Sequence, residues 1–304
     1  MKFVITGALG YIGSQLIREL PLAFPHCVIT LIDNLESQRY CSLFHLPSNA
    51  QYSFNEANVG TIPLDNLLTK ADAVIHLAAA KEAEDEYINY NMTERLAKVS
   101  AKQQIPFIHL STTEIYGTHK KVLDEYCKPE ELNPQTDLAK NKLQEESLLQ
   151  QYGKYEQLKF ITLRIPSLFG VTPGMHFSSS VNRWCWQAVF GQTLSIEQTT
   201  YQQKRPYLAV HDLINAICFF IKRQHFDNKI YNVVSANASV EEIIEYIRAY
   251  VANLYIEFFD SPRERFYAGE VRAERIMHLG FLPIIELKQG IRDLVNLLHH
   301  ANNG

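Results

Sequence analysis

The sequence predicts an α/β fold: a doubly wound parallel sheet with helices on both faces, and a smaller C-terminal domain interleaved with it. In the first half of the chain, short apolar runs alternate with amphipathic stretches, as strands and helices do in βαβ units. The apolar runs are almost continuously hydrophobic, which is typical of parallel strands buried on both faces. A glycine-rich turn joins the first strand to the first helix.

The order of the predicted elements follows from this alternation. Six apolar runs are interpreted as strands: Phe3–Thr6, Val28–Ile32, Tyr52–Phe54, Ala73–Ala78, Phe107–Leu110 and Phe160–Leu163. The clearest helices between them are Glu86–Gln103 and Asp137–Gln151. A stretch rich in Gly, Pro and Ser breaks the rhythm after Gly170. Further elements are predicted at Val181–Gly191, Leu208–Arg223, Ile230–Val234, Val240–Ala252, Tyr255–Phe259 and Leu287–His299.

The composition fits a globular protein and limits its partners. The 304 residues are 46% hydrophobic and 20% charged, with a formal net charge of −4, so the bulk charge gives no reason to expect nucleic acid. No apolar run is long enough to span a bilayer, and the first residues form a strand pattern. We therefore expect a cytoplasmic protein without a membrane partner. The five cysteines form no CxxC motif, and we expect reduced thiols and no metal site.

Gly7, Gly10 and Gly13 form a GxxGxxG pattern between the first strand and the first helix. Glycine lets the backbone approach a pyrophosphate there, and the helix N-terminus offers free N–H groups and a partial positive charge. Asp33 ends the second strand, 20 residues after Gly13, where a carboxylate binds the adenosine ribose in dinucleotide-binding folds. An acid there repels a 2′-phosphate. These features predict a Rossmann-type domain that prefers NAD to NADP. The alternative, an ordinary glycine loop with Asp33 as a helix cap, explains fewer of them.

Five motifs occur in one order along the chain: TGALGYIG, LIDN, HLAA, STTEIYG and LRIPSLFG. This order resembles the extended short-chain dehydrogenase/reductase family of nucleotide-sugar epimerases, dehydratases and decarboxylases. The segments KRPYLAVHDL and RIMHLGFLP resemble its C-terminal half more loosely.

The resemblance has consequences for domains, reaction and assembly. It implies an NAD-binding Rossmann domain over residues 1–170, to which 205–228 returns, and a smaller domain over 171–204 and 229–304 that mainly binds the substrate. It implies transient hydride transfer on a nucleotide sugar. It also implies a homodimer, with the helices Glu86–Gln103 and Asp137–Gln151 packed as a four-helix bundle.

The resemblance also implies roles for individual residues. The backbone from Gly7 to Gly13 is expected to hold the pyrophosphate, and Asp33 with Asn34 to meet the adenosine ribose. The full set expected to bind the cofactor is Gly7, Gly10, Tyr11, Ile12, Gly13, Asp33, Asn34, Asn58, Val59, Leu77, Ala78, Ala79, Asn91 and Lys142. The apolar members of this set are equally expected to be buried in the core of the sheet.

The catalytic positions depart from the family pattern at one residue. The family uses a Tyr phenolate as base, a Lys four residues later that lowers the phenol pKa and binds the nicotinamide ribose, and a Ser or Thr after the fifth strand. Thr112 occupies the Ser/Thr position and Lys142 the Lys position. Leu138 occupies the Tyr position, so the phenol that would transfer the proton is absent.

Three interpretations of this departure remain open. Catalysis is impaired while nucleotide binding persists, or another group such as Glu114 or a nearby tyrosine takes the proton, or the helix register differs. Thr113 and Glu114 resemble the family's decarboxylases and dehydratases more than its epimerases, although a loop carboxylate paired with a cation explains Glu114 equally well. Lys142 alone is also compatible with a solvent-facing helix. The catalytic candidates are Thr112, Thr113, Glu114 and Lys142.

The substrate-binding candidates are Ser167, Arg205, Arg263 and Arg265. Arg205 occupies the family position that binds substrate phosphates, and either later arginine is a candidate second clamp. Ser167 stands where the family has Asn. The sequence therefore predicts an NAD-dependent epimerase/dehydratase-like oxidoreductase acting on a nucleotide sugar, with atypical or impaired catalysis. The alternative is a non-catalytic NAD- or nucleotide-sugar-binding protein that serves as a regulatory or structural subunit.

Overall fold

A computed structural model describes residues 1–80, 87–117, 122–260 and 269–302. The strands in these ranges are β1 Lys2–Thr6, β2 Val28–Asp33, β3 Gln51–Glu56, β4 Ala73–His76, β5 Phe107–Thr112, β6 Val122–Leu123, β7 Phe160–Ile165, β8 Ser167–Phe169, β9 Leu194–Glu197, β10 Arg205–Ala209, β11 Lys229–Asn232, β12 Ala236–Ala238, β13 Ile256–Phe259 and β14 Glu270–Val271. The α-helices are α1 Tyr11–Ala23, α2 Leu64–Leu68, α3 Ile88–Gln103, α4 Asp137–Tyr155, α5 Ser180–Val189, α6 Val210–Arg223, α7 Val240–Arg248, α8 Glu274–His278 and α9 Leu287–Asn302.

Seven parallel strands form the main sheet, in the order β11-β7-β5-β4-β1-β2-β3. Successive side chains of a strand point to opposite faces, and along β1 they enter two different cores. Phe3 and Ile5 pack with α1 and α6, whereas Val4 packs with α3 and the buried end of α4. Both faces of the sheet are therefore covered, and the predicted doubly wound α/β fold class is confirmed.

The sheet creates a crevice where its strand order reverses. The chain moves outward from β1 through β2 and β3 on one side, and through β4, β5 and β7 on the other. In open parallel sheets, ligands bind outside the carboxyl ends of the strands at such a switch point. The carboxyl ends of β1, β2 and β4 therefore mark the edge of the sheet where a cofactor site belongs.

The second part of the chain builds smaller sheets against this frame. Strands β8, β10 and β12 form one sheet, β9 pairs with β13, and β6 pairs with β14. Helices α5, α7 and α9 bury a second core with Trp184, Ile243 and Leu294 at its centre. Trp184 is only 5% exposed, so its indole is part of this core.

The two parts interleave differently from the predicted segment boundaries. Within 205–228, β10 pairs with β8 and β12, and only α6 packs against α1 in the first core. Strand β11, predicted to lie in the second domain, joins the edge of the main sheet beside β7. The sequence of the apolar run Ile230–Val234 does not indicate which strand it pairs with, because a short buried strand has the same apolar pattern in either sheet.

The predicted helices are recovered with shifted ends. Helix α3 begins at Ile88, and Glu86 lies outside the described residues, while α4 begins at Asp137 as predicted and continues to Tyr155. Across the described ranges, no helix combines the length and the apolar character needed to cross a membrane. Within the same ranges, no three His, Cys, Asp or Glu side chains are grouped so that they would hold a metal ion.

Candidate active site

The turn between β1 and α1 requires glycine at two positions. Gly7 has φ +66° and donates from its N–H to the Ile32 carbonyl at 2.8 Å. A Cβ on Gly7 would lie 2.7 Å from the backbone nitrogen of Ala78, and a Cβ on Gly13 would lie 2.4 Å from the Gly7 carbonyl oxygen. Side chains at these positions would push apart the turn, the helix and the end of β4. The turn instead brings the N-terminus of α1 directly to the crevice, where its N–H groups suit an anionic ligand.

A cleft of about 410 Å³ opens beside this turn. It brings together most of the residues predicted to bind the cofactor, namely Gly7, Gly10, Tyr11, Ile12, Gly13, Asp33, Asn34, Asn58, Val59, Leu77, Ala78 and Ala79. Sequence reasoning missed other residues of its wall, among them Glu36, Arg39, Met92, Leu168 and His176. Leu168 and His176 come from the second half of the chain, which therefore closes one side of the cleft.

Asp33 is held rigidly at the edge of the cleft. One carboxylate oxygen accepts the N–H of Leu9 at 3.0 Å and the other accepts the N–H of Leu35 at 2.9 Å. Each oxygen keeps a further lone pair for a ligand hydroxyl. Glu36 and Arg39 line the same end of the cleft, so two acids and one base surround the position where the adenosine ribose would bind.

The segment 170–176 clasps the glycine turn from the other side. The Tyr11 hydroxyl donates to the Gly170 carbonyl at 2.8 Å, and the Gly174 N–H donates to the Ser14 hydroxyl at 2.9 Å. A Cβ on Gly174 would lie 2.5 Å from the Gly10 carbonyl oxygen. His176 packs edge-on against the Tyr11 ring, with centroids 5.0 Å apart. The sequence offers only the Gly/Pro/Ser composition of this segment as a signal for such close packing.

On helix α3, the asparagine that supports the cleft wall is Asn89. Its amide accepts the Ala80 N–H at 2.7 Å and donates to the Ala80 carbonyl at 3.3 Å. The predicted residue, Asn91, lies on the exposed side of the helix. Helical phase distinguishes the two, because Asn89 shares the buried face with Met92 and Leu96 at spacings of three and seven residues.

The end of β5 and the start of α4 bring the catalytic candidates together. Thr112 accepts the Glu114 N–H at 3.1 Å and so caps the short turn that follows β5, and Thr113 is buried within that turn. The exposed carboxylate of Glu114 accepts the Thr136 hydroxyl at 3.0 Å. Thr136 caps α4 by accepting the Ala139 N–H at 3.1 Å. Glu114 is thereby anchored at the first turn of α4.

Leu138 occupies that same first turn. Its side chain is 48% exposed, and Lys142 follows one helical turn later on the same face. The neighbouring Tyr116 does not replace the missing phenol, because it is fully buried and its hydroxyl donates to Asn232 at 2.8 Å. Burial raises the pKa of Tyr116 to about 12. Among the substitutes suggested by sequence, Glu114 alone reaches the solvent side of this turn.

Lys142 points into a buried polar network that sequence reasoning did not anticipate. Its ammonium lies 2.9 Å from a carboxylate oxygen of Glu145, whose side chain is completely buried. The same oxygen accepts the Thr93 hydroxyl at 2.8 Å and is 2.8 Å from His109 Nε2. Lys142 is not among the residues that line the cleft of the glycine turn.

The network continues from Thr93 to the cofactor cleft. His76 Nε2 lies 3.1 Å from the Thr93 hydroxyl, and His76 Nδ1 lies 2.7 Å from the Thr6 hydroxyl, which accepts the Ala78 N–H at 3.3 Å. Since Thr93 donates to Glu145, its oxygen accepts from His76 Nε2, and His76 Nδ1 accepts from Thr6. Every donor in this chain therefore points toward Glu145.

The charges in this network follow from burial and pairing. Burial lowers the pKa of His76 to about 3 and also lowers the pKa of His109, so both imidazoles are neutral. Burial alone raises the pKa of Glu145, but the Lys142 ammonium and the hydrogen bond from His109 outweigh it, and the pKa falls well below its usual range. The network therefore contains one carboxylate, one ammonium and two neutral histidines.

The predicted substrate residues lie on the smaller sheet beside the cleft. Ser167 begins β8 and is in register with Tyr207 of β10, and the half-buried Arg205 begins β10 two residues earlier. Leu168, next to Ser167, lines the cofactor cleft. Arg263 and Arg265 lie outside the described residues.

A comparison with protein families decides the relationship. The NAD dependent epimerase/dehydratase family matches residues 3–233. The chain belongs to this family. Its cofactor is NAD. The glycine turn fits this cofactor, because Gly7, Gly10 and Gly13 line the cleft without placing side chains between it and the N-terminus of α1.

Individual relatives act on different nucleotide sugars. The chain is 24% identical over 328 aligned positions to an uncharacterized UDP-glucose epimerase, YtcB, of Bacillus subtilis, with 100% of each covered. It is 26% identical over 322 positions to a dTDP-D-glucose 4,6-dehydratase of Bos taurus, which covers 97% of this chain and 87% of the relative.

Solved structures share the fold. A UDP-glucuronic acid 4-epimerase of Bacillus cereus in complex with NAD has a TM-score of 0.83 at 21% identity, covering 98% of this chain and 100% of that one. A dTDP-glucose 4,6-dehydratase of Streptomyces venezuelae with NAD bound has a TM-score of 0.85 at 17% identity, covering 100% and 98%.

Proposed function

We propose that this protein binds NAD in the cleft beside the glycine turn and oxidises a nucleotide sugar with Glu114, in place of a tyrosine, as the proton acceptor. One observation carries the proposal. The first turn of α4 holds Leu138 where the family has its phenol, and the carboxylate of Glu114 is anchored at that same turn through Thr136.

The cofactor-binding residues fit the parts of NAD in order. The backbone of Gly7–Gly13 and the N-terminus of α1 would hold the pyrophosphate, Asp33 the adenosine ribose, and Val59 the adenine. Ala78 and Ala79 would line the path toward the nicotinamide. When bound, NAD supplies the reversible two-electron oxidation with which the family's epimerisations, dehydrations and decarboxylations begin.

The substrate is proposed to be a nucleoside diphosphate sugar. The relatives' names carry UDP- and dTDP-linked sugars, and Arg205 stands on β10 where a guanidinium would pair with a diphosphate. Ser167 offers a hydroxyl on the neighbouring strand. Thr112 would hydrogen-bond the reacting sugar oxygen, and Glu114 would accept its proton.

An alternative function also has a specific observation in its favour. The ammonium of Lys142 is paired with the buried Glu145, and position 138 carries no titratable group. Both features suit a protein that binds NAD or nucleotide sugars without turning them over. Both proposed functions include ligand binding, but only the first includes turnover of a nucleotide sugar.

The assembly is proposed to be a homodimer through α3 and α4. These helices pack side by side on one face of the main sheet. Tyr155 leaves apolar surface exposed at the C-terminal end of α4.

A substrate panel tests the proposed function. The protein, loaded with NAD, is mixed with UDP- and dTDP-linked sugars and sugar acids, and the absorbance of reduced nicotinamide and the product composition are recorded. The enzyme proposal expects turnover of at least one sugar. NAD binding in calorimetry without turnover of any sugar would establish the binding protein instead.

A further inference from the structure

We propose that Glu145 is a positioning residue that neutralises Lys142, so that the lysine charge acts little on the group at position 138. The inference rests on the proposed function, in which position 138 no longer supplies the base. It assigns a role to a residue outside the cofactor cleft.

Positions 138, 142 and 145 lie on the same face of α4, because they follow one another at spacings of four and three residues. A lysine one turn after a phenol stabilises the phenolate through its positive charge. The ammonium of Lys142 instead lies 2.9 Å from the Glu145 carboxylate and is only 12% exposed.

The contact between Lys142 and Glu145 changes the electric field at position 138. A carboxylate in contact with an ammonium turns a point charge into a dipole, whose field falls much faster with distance. A group at position 138 then experiences little of the lysine's charge. The alkyl side chain of leucine has no charged form for a lysine to stabilise. Its presence at position 138 therefore agrees with a lysine whose charge is already compensated.

Further hydrogen bonds to Glu145 hold its carboxylate in place beside Lys142. Thr93 on α3 and His109 on β5 both bond the oxygen that holds the ammonium, and His76 on β4 supports Thr93. The Glu145 side chain has no exposed surface. With both imidazoles neutral, no other cation in this described network competes for the carboxylate.

The test introduces a phenol and reads its titration without any ligand. Leu138→Tyr is titrated by ultraviolet difference absorbance against the wild-type protein, and the double variant Leu138→Tyr/Glu145→Gln against Glu145→Gln. In the otherwise native chain, we expect the introduced phenol to titrate near the ordinary tyrosine pKa of ~10. Adding Glu145→Gln is expected to lower that pKa by about one unit or more, because the lysine charge is no longer compensated.

A matched control separates this effect from any change of charge on α4. Asp137 and Lys140 form the other carboxylate–lysine pair at a spacing of three on this helix, and both are exposed. Asp137→Asn should move the introduced phenol's pKa much less than Glu145→Gln, since solvent screens the exposed pair. Equal shifts from the two variants would overturn the proposal.

The single variant Leu138→Tyr tests the inference even if Glu145→Gln does not fold. Leu138 is half exposed, so Leu138→Tyr is expected to fold, and its phenol titration stands alone. A phenol pKa already lowered by about one unit or more in that single variant would show that Lys142 is not neutralised. Because no NAD or sugar is present, this result does not depend on whether the protein turns over any substrate.

Discussion

At the scale of single residues, the candidate site combines a cleft beside the glycine turn with a leucine in the first turn of α4. Asp33 and the glycines line one cleft, since their positions follow from a local pattern in the sequence, and their contacts with NAD stay a prediction. Glu145 was not foreseen, because its partners Thr93 and His109 come from other elements. Sequence spacing reveals neighbours on one helix, but it does not reveal which strand or helix will face them.

Replacing Asp33 tests how the cleft selects its cofactor. Asp33→Asn removes the charge that would bind the adenosine ribose, so we expect NAD affinity to fall by about 10- to 100-fold, because a charged hydrogen bond contributes ~1.5–3 kcal/mol. The disadvantage of NADP should shrink, because the charge that repels the 2′-phosphate is gone and Arg39 lines the same cleft. Calorimetric titration of both cofactors measures this. Glu257→Gln, on the exposed strand β13 and outside the cleft lining, is the charge-matched control, and an unchanged NAD/NADP ratio in Asp33→Asn would contradict the assignment.

The glycines of the turn provide a matched pair of substitutions. Gly13→Ala places a Cβ 2.4 Å from the Gly7 carbonyl oxygen, whereas Gly10→Ala places one at 3.3 Å from the same atom. We expect Gly13→Ala to abolish measurable NAD binding and to lower the melting temperature, and Gly10→Ala to change the melting temperature little. Calorimetry and thermal unfolding check both. A Gly13→Ala protein that binds NAD normally would show that this close approach is not needed.

At the scale of elements, the strands and helices of the main sheet were largely predictable, because burial on both faces leaves unbroken apolar runs. The partner of β11 was not predictable, since a short buried strand fits either sheet. Nor was the clasp of segment 170–176 on the glycine turn, which depends on Gly174 meeting Gly10 across the molecule. Local pattern thus predicted the elements, and long-range packing decided how they join.

The buried network between β4, β5, α3 and α4 makes stability depend on pH. The pKa of His76 falls from 6.5 unfolded to about 3 folded, so the unfolded chain binds the extra proton. Stability is therefore full above pH 6.5 and falls as the pH drops toward 3, with a slope approaching ~1.4 kcal/mol per pH unit. His109 acts in the same direction.

Urea unfolding between pH 7 and pH 4 measures this slope. His76→Gln should be less stable at pH 7 and should show a flatter dependence, because the group that takes up the proton on unfolding is gone. A dependence as steep as that of the wild-type protein would mean that His76 is not buried and neutral in the folded state.

At the scale of the whole molecule, the two parts of the chain form one site. The first part supplies the glycine turn and Asp33, and the second supplies Leu168, His176 and the sheet that carries Arg205. The proposed dimer would place α3 and α4, and therefore the Lys142–Glu145 pair, next to the subunit interface.

Light scattering tests the dimer. We expect a mass of twice 35.0 kDa at micromolar concentration. Tyr155→Asp on the exposed end of α4 should shift the equilibrium toward monomer, whereas the same change at the exposed Tyr255, outside α3 and α4, should not. A wild-type monomer would remove the assembly proposal and leave the site unaffected.

Glu114 is proposed to accept the substrate proton in place of a tyrosine. The most direct measurement compares the single-turnover rate of NAD reduction, at saturating sugar, between the wild-type protein and Glu114→Gln. Glu156→Gln, at the opposite end of α4, serves as the control. We predict that Glu114→Gln slows NAD reduction by ~10²–10⁴, the usual contribution of a positioned base, while the control keeps the wild-type rate. Equal rates in all three proteins would contradict it.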